Sequence, residues 1–146
     1  MRAALADSVL YLDSNIFIYA LEKSHRWLAA AEDLLGAVEE GRVRAVASEL
    51  VLAEVLAKPF ADRNATHIVQ YQSLLSSGGG LTMASISRDV LVLAAQLRGE
   101  YALKLIDSIH VATARSTHCN YFLTQDERLG RALADRPKWL KLSEIN

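Results

Sequence analysis

Residues 9–21 read Val-Leu-Tyr-Leu-Asp-Ser-Asn-Ile-Phe-Ile-Tyr-Ala-Leu, and the rest of the chain is organised around this stretch. Its first four residues form a short apolar run typical of a buried strand, and the run stops at Asp13. A carboxylate at the end of a buried strand is costly unless another group pairs with it. Because ligands bind at the carboxyl edge of open α/β sheets, Asp13 is a candidate site residue. The competing interpretation is that Asp13 or Ser14 caps the helix that begins near Ile16.

Short apolar runs and helical patterns alternate along the rest of the chain. Four further strands are predicted at residues 44–47, 81–84, 121–124 and, at an edge, 139–142. Between them apolar residues recur at helical spacing, with predicted N-caps at Ser24, Ser48 and Ser87 and a predicted helix end at Pro59. This alternation predicts a parallel α/β sandwich, formed by one domain over residues 1–146.

Composition narrows the class of protein. The chain has 146 residues, of which 51% are hydrophobic, and a mean hydropathy of +0.13, which excludes a disordered chain. No apolar run reaches the roughly 20 residues that span a membrane, and the first residues lack a signal-peptide pattern. Cys119 is the single cysteine, so no internal disulfide can form. We therefore expect a protein of the reducing cytoplasm with no membrane partner.

The overall charge gives no support to nucleic-acid binding. The net charge is −1 and the isoelectric point is about 6.4. Basic residues nevertheless crowd the last quarter of the chain: Arg128, Arg131, Arg136, Lys138 and Lys141. A local basic face is compatible with this distribution, although an ordinary solvated surface is the simpler interpretation.

Four acidic residues stand where a parallel sheet would bring them together: Asp13, Glu54, Asp107 and Asp126. Asp13 and Asp126 each follow an apolar run, so both are predicted at the carboxyl edge of the sheet. Asp107 lies near the start of a helix, where the helix dipole favours an anion. Glu54 projects from a helix that is expected to pack on the sheet.

Converging carboxylates repel one another, so without a cation at least one of them should have a raised pKa. Mg²⁺ or Mn²⁺ prefers oxygen ligands and would remove this repulsion. Such a cation activates water and neutralises the charge that grows on a phosphate during its hydrolysis. The four acids therefore favour a metal site for phosphoryl chemistry.

Each acid also has a purely structural interpretation. Glu54 is four residues before Lys58, a spacing that stabilises a helix by only a few tenths of a kcal/mol. Asp107 could be an N-cap, and so could Asp126. Thr124 and Glu127, however, have the spacing of a capping box, which would make Thr124 the cap and leave Asp126 free. His110, one helical turn after Asp107, is interpreted as a packing residue and not as a general base.

Four motifs in this order resemble those of the PIN-domain nucleases, and more narrowly of the VapC-type toxins of bacterial and archaeal toxin–antitoxin pairs. They are Tyr-Leu-Asp-Ser-Asn (11–15), Leu-Ala-Glu-Val-Leu (52–56), Leu-Ile-Asp-Ser-Ile-His-Val-Ala-Thr-Ala (105–114) and Phe-Leu-Thr-Gln-Asp-Glu-Arg-Leu (122–129). Each motif alone is weak, but together they are fairly specific. The resemblance covers nearly the whole chain, from Val9 to about Ile145.

The resemblance implies a three-layer α/β/α sandwich with a central, mostly parallel sheet of four to five strands. It implies an acidic quartet at Asp13, Glu54, Asp107 and Asp126 that binds Mg²⁺ or Mn²⁺, supported by Asn15 and Thr124. The implied activity is that of an endoribonuclease toxin, in which metal-activated water cleaves RNA and leaves a 5′-phosphate and a 3′-hydroxyl. The implied partners are a second copy of the chain and an antitoxin that blocks the acidic pocket.

The chain departs from the family pattern at two positions. Ser108 stands where the family often has alanine, and Gln125 where it often has asparagine. Neither departure removes a carboxylate, but both alter neighbours of the acids and so bear on metal affinity.

Two other functions stay open on the sequence alone. One is an α/β phosphohydrolase that uses Asp13 as its nucleophile. Against it, Asn15 occupies the position where the haloacid-dehalogenase type carries a second aspartate. The other is a non-catalytic PIN-like module that binds RNA or protein, in which the four acids would not share a metal.

Overall fold

The computed structural model describes residues 5–22 and 26–145, so the N-cap predicted at Ser24 lies outside the described residues. The strands are β1 Val9–Leu12, β2 Arg44–Ser48, β3 Leu81–Ala84, β4 Tyr121–Leu123 and β5 Lys138–Leu140. The helices are α1 Ser14–Leu21, α2 Leu28–Glu39, α3 Leu50–Ala61, α4 Ala65–Leu74, α5 Arg88–Tyr101, α6 Leu105–Ser116 and α7 Glu127–Ala132, followed by a 3₁₀ turn at Leu142–Glu144. Among the residues described, no helix combines the length and the apolar character needed to cross a membrane.

The five strands form one sheet in the order β3-β2-β1-β4-β5, and every pair of neighbours is parallel. The chain moves outward from β1 through β2 to β3, then returns to the other side of β1 to form β4 and β5. The direction of winding therefore reverses between β1 and β4, and this reversal point is where open α/β sheets bind ligands at their carboxyl edge. Asp13 directly follows β1, and Asp126 follows β4 after two intervening residues.

Helices cover both faces of the sheet, as the alternation of side chains along β1 shows. Leu10 and Leu12 are fully buried in a core with residues of α1, α2, α3 and α4. Tyr11, between them, is fully buried in a second core with residues of α5, α6 and α7. Since successive side chains of a strand point to opposite faces, the two cores make the molecule a three-layer α/β/α sandwich, as predicted.

The helix end predicted at Pro59 is wrong, because α3 continues to Ala61 with Pro59 buried inside it. Proline cannot donate a hydrogen bond to the carbonyl four residues earlier, but the residues after it are still able to complete a final turn. They do so here, since the amide of Asp62 donates to the Lys58 carbonyl.

Gly130 in α7 is expected to tolerate no side chain. A Cβ there would lie 2.1 Å from the ring of Trp139, whose Nε1 donates to the Thr124 carbonyl at 2.9 Å. We expect Gly130→Ala to lower the free energy of unfolding by about 1–3 kcal/mol through overpacking, measured by urea denaturation. Gly36 in α2 is the matched control, since nothing lies within 4 Å of its Cβ position. Gly36→Ala should stabilise by about 0.5–1 kcal/mol, and equal effects at both sites would contradict the packing argument.

Candidate active site

Asp13 occupies the N-cap position of α1, but its side chain does not cap the helix. Its Oδ2 accepts a hydrogen bond of 2.8 Å from the Thr124 hydroxyl, and the Ser14 hydroxyl lies 3.4 Å from its Oδ1. The residue is only 7% exposed. The capping interpretation is therefore wrong for this carboxylate, which is instead held at the carboxyl edge of the sheet by the Thr124 hydroxyl.

The capping box predicted for Thr124 and Glu127 is also wrong. Asp126 is the N-cap of α7, because its Oδ1 accepts hydrogen bonds from the amides of Arg128 at 3.0 Å and Leu129 at 3.2 Å. The helix begins at Glu127, which leaves Thr124 too far upstream to cap it. The Thr124 hydroxyl is buried, donates to Asp13 and accepts from the Asp126 amide at 3.1 Å. Thr124 thus links the two strand-terminal acids, with Oδ2 of Asp126 left outside the cap.

Asp107 is the third residue of α6, whose N-cap position is Lys104, so Asp107 does not cap this helix. Burial raises the pKa of its carboxyl group, and the negative charges of Asp126 and Asp13 raise it further. The positive charge of Lys104, and that of His110 in its protonated form, act in the opposite direction without cancelling the rise. Repulsion from both other aspartates means that three of the four predicted acids lie close enough to interact.

Glu54 belongs to the same region but is tied into a separate set of contacts. Its Oε1 lies 2.6 Å from Nε2 of His110, and its Oε2 accepts a 3.2 Å hydrogen bond from the Ser14 hydroxyl. The side chain remains 23% exposed. Lys58 pairs with Glu22 and not with Glu54 as its spacing suggests, since Nζ of Lys58 lies 3.8 Å from Oε1 of Glu22. The single Ser14 proton is donated to Glu54, the nearer acceptor, and the same hydroxyl oxygen lies 3.4 Å from Oδ1 of Asp13.

Sequence reasoning missed Ser14 and underrated His110. The sequence pattern indicates only a helix cap at Ser14, although its place after Asp13 puts it at the sheet edge. His110 had a detectable signal, because one turn after Asp107 it shares that residue's helix face. The His110 side chain is buried, with the residue 1% exposed, and it lies between Glu54 and Tyr11. Its Nδ1 is 2.5 Å from the hydroxyl oxygen of Tyr11. Asn15, predicted to support the site, is exposed in the first turn of α1.

The two departures from the family pattern have local structural roles. The buried Ser108 hydroxyl donates to the Leu105 carbonyl at 2.6 Å, within the first turn of α6. Oε1 of Gln125 accepts a 2.7 Å hydrogen bond from the Leu142 amide. This hydrogen bond links the loop between β4 and α7, which contains Asp126, to the residues that follow β5.

The donor set of this region fits a hard cation. Across residues 5–22 and 26–145, no group of three or more His, Cys, Asp or Glu side chains is arranged so that it could hold a metal ion. The carboxylates of Asp13, Asp107 and Asp126 nevertheless supply the oxygen ligands that Mg²⁺ and Mn²⁺ prefer, and their mutual repulsion is what a cation would relieve. Glu54, with both oxygens already hydrogen-bonded, fits a contact through water better than a direct one.

Asp107 predicts a pH dependence of the metal-free protein. A carboxyl whose pKa is higher in the folded than in the unfolded state costs no stability in acid, where both states are protonated, and destabilises as pH rises through the folded pKa. Metal-free Asp107→Asn should therefore melt at a higher temperature than the wild type at pH 7. The difference should disappear below the ordinary pKa of 3.8, as followed by circular dichroism. A variant that melts lower at pH 7 would contradict the repulsion.

The fold and the site together define a parallel α/β sandwich with aspartates gathered where the sheet reverses its winding. The sequence profile of the PIN domain matches residues 10–133, and the chain therefore belongs to the PIN-domain family. Sequence comparison with curated proteins gave no match.

Several solved structures share the fold. A toxin–antitoxin complex from Klebsiella pneumoniae contains a chain 24% identical to this one, with a TM-score of 0.65, and the match covers 93% of this chain and 99% of that one. DNA-bound VapBC from Salmonella typhimurium is 14% identical with a TM-score of 0.69, covering 92% and 98%. A Mycobacterium tuberculosis VapC toxin that cleaves the sarcin-ricin loop is 14% identical with a TM-score of 0.68, covering 84% and 94%. At these identities the likeness establishes the fold.

Proposed function

We propose that this chain is a Mg²⁺- or Mn²⁺-dependent endoribonuclease and the toxin of a toxin–antitoxin pair. The observation that carries the proposal is the placement of Asp13 and Asp126 at one edge of the sheet, where the Thr124 hydroxyl donates to Asp13 and accepts from the Asp126 amide. The raised pKa of Asp107, to which the charges of both aspartates contribute, agrees with it. Membership of the PIN-domain family supports it. We assign catalysis and metal binding to these three acids and to Glu54, with Asn15 and Thr124 as supporting residues.

A divalent cation bound there would supply an activated water and neutralise the charge that develops on the scissile phosphate. The chain's own groups have distinct parts in this proposal. Thr124 holds the Asp13 carboxylate in place, Ser14 donates to Glu54, and the α7 cap holds the carboxylate of Asp126. Glu54, anchored but partly exposed, would accept a hydrogen bond from the attacking water. No protein nucleophile is needed.

The RNA substrate would be held by local basic groups, since the chain as a whole is not basic. Arg128 is exposed in the first turn of α7, two residues after Asp126. Arg131 and Lys141 are partly neutralised, because each pairs with Glu127, at 3.2 and 3.4 Å. Arg128 is therefore the best-placed side chain for a phosphate next to the acidic edge. The M. tuberculosis neighbour cleaves the sarcin-ricin loop, which supports RNA as the substrate class.

The proposal includes two protein partners in a cytoplasmic setting. One is a cognate antitoxin, supported by the solved neighbours that are toxin–antitoxin complexes. A groove of about 800 Å³, lined by residues of α1, α2 and α4, offers a surface for a segment of such a protein. The other partner is a second copy of the chain. Exposed apolar side chains of α5 and α6, at Leu91, Val92, Leu105 and Ile106, support a homodimer, which sedimentation of the purified chain would test.

The direct test is cleavage of RNA by purified, antitoxin-free protein. We expect activity with Mg²⁺ or Mn²⁺, loss of activity in EDTA, and recovery when the cation is added back. The products should carry a 5′-phosphate and a 3′-hydroxyl. Full activity in EDTA would exclude the metal mechanism. A phosphoaspartate trapped at Asp13 would favour the phosphohydrolase alternative, and a protein that neither cleaves RNA nor binds Mn²⁺ would be a binding module.

A further inference from the structure

His110 is a buried polar residue for which the proposed function gives no account. Its side chain lies between α6 and α3, and each ring nitrogen has one partner. Nε2 lies 2.6 Å from Oε1 of Glu54, and Nδ1 lies 2.5 Å from the hydroxyl of Tyr11 in β1. The three residues thus form a chain of hydrogen bonds that runs from the core of the sandwich to the acidic edge.

For a neutral His110, the chemistry of the partners gives these bonds one direction. An ionised carboxylate only accepts hydrogen bonds, so Nε2 must carry the proton that bridges to Glu54. In the neutral imidazole Nδ1 is then an acceptor, and the Tyr11 hydroxyl is its donor. Tyr11 is buried, which disfavours its phenolate and keeps the hydroxyl proton available for donation. The order is therefore Tyr11 to His110 to Glu54.

This order determines what Glu54 is able to do. A carboxylate offers about four acceptor positions, and His110 and Ser14 occupy one on each oxygen. The remaining acceptor positions of Glu54 are accessible to water, because its side chain is partly exposed to solvent. With its torsions fixed from two sides, Glu54 presents these positions at one place, which is what a residue that orients water requires.

We propose that His110 is a positioning residue which, held by Tyr11, fixes the Glu54 carboxylate as an acceptor for the attacking water. The inference rests on the proposed function, since it gives Glu54 a water to orient. It goes beyond that function by assigning a role to two residues, His110 and Tyr11, that lie outside the acidic quartet.

Two substitutions of His110 separate its two contacts. The amide nitrogen of glutamine reaches the position of Nε2, so His110→Gln keeps a donor toward Glu54. The amide of asparagine reaches only the position of Nδ1, so His110→Asn keeps a polar group toward Tyr11 and loses the donor to Glu54. Both variants place a side-chain amide at the buried position 110. Each variant therefore serves as the control for the effect of the other on folding.

We expect His110→Asn to lower kcat for RNA cleavage about tenfold or more, with KM and the Mn²⁺ dissociation constant within about threefold of the wild type. His110→Gln should recover kcat to within about threefold of the wild type. Tyr11→Phe, which keeps the ring but removes the hydroxyl, should fall between the two. Equal kcat losses in the Asn and Gln variants, with both folded, would overturn the assignment and leave only a packing role.

A second readout does not depend on activity. Nuclear magnetic resonance of ¹⁵N-histidine-labelled, metal-free protein should show His110 as the tautomer with its proton on Nε2. Finding the proton on Nδ1 alone would overturn the hydrogen-bond order, whatever the nuclease assay gives. A wild type that neither cleaves RNA nor binds Mn²⁺ would instead contradict the proposed function, and with it the role of Glu54 toward water.

Discussion

Asp13→Asn is expected to lower kcat for RNA cleavage about a hundredfold or more while the protein stays folded. Charge stabilisation by a bound cation contributes several kcal/mol to such reactions, and each 1.4 kcal/mol is a factor of about ten. Asparagine has the size of aspartate, and its carbonyl is able to accept the Thr124 hydrogen bond. The substitution therefore removes the negative charge and preserves the geometry. Initial rates on a labelled RNA, with Mg²⁺ at saturation, measure the effect.

Asp33→Asn is the matched control, because Asp33 is exposed on α2 and outside the acidic edge. The same chemical change there should leave kcat within about twofold of the wild type and unfolding within about 0.5 kcal/mol. Equal losses at Asp13 and Asp33 would point to a general effect of charge on RNA binding. An Asp13→Asn variant with full activity would remove Asp13 from the site.

Phe17→Ala is expected to cost about 3–5 kcal/mol of the free energy of unfolding. Phe17 lies in α1, is 0% exposed and belongs to the core that also contains Leu10 and Leu12 of β1. Truncation removes a large apolar surface and leaves a cavity that close-packed neighbours fill only in part. Because domains are stable by only about 5–15 kcal/mol, a large share of the total would be lost. Urea denaturation followed by circular dichroism measures it.

Phe60→Ala provides the comparison for this prediction. Phe60 is also helical, at the end of α3, but it is 58% exposed. The same deletion of a ring should change stability by less than about 1 kcal/mol there. Similar losses at the two positions would mean that burial does not determine the cost.

Much of the fold was predictable because it depends on local sequence pattern. The apolar runs that became β1 to β5 are short and bounded by polar residues, and Ser87 caps α5 as predicted, accepting from the Val90 amide. The number of layers followed from the resemblance to PIN-domain nucleases and is confirmed by the two cores. The helix end predicted at Pro59 is wrong because proline removes one helix hydrogen bond, while the bond from the Asp62 amide to the Lys58 carbonyl continues the last turn beyond it.

The site was predictable in outline and not in its contacts. The placement of Asp13 and Asp126 at one edge follows from a parallel sheet, and the charges of both contribute to the raised pKa of Asp107, while a shared metal stays a prediction. The bond from Thr124 to Asp13 joins residues 111 positions apart, and that from His110 to Glu54 joins residues 56 apart. Such pairings depend on how helices pack on the sheet, which spacing along the chain does not encode. The capping box at Thr124 is wrong for a local reason, because α7 begins at Glu127 and Asp126 is its N-cap.

The central claim is that these carboxylates share a divalent cation, and calorimetric titration of the purified chain with Mn²⁺ tests it most directly. The account predicts saturable binding by the wild type, at least about tenfold weaker binding by Asp13→Asn and by Asp107→Asn, and unchanged binding by Asp33→Asn. A folded wild type that binds no Mn²⁺, or binding that both site variants retain in full, would contradict it.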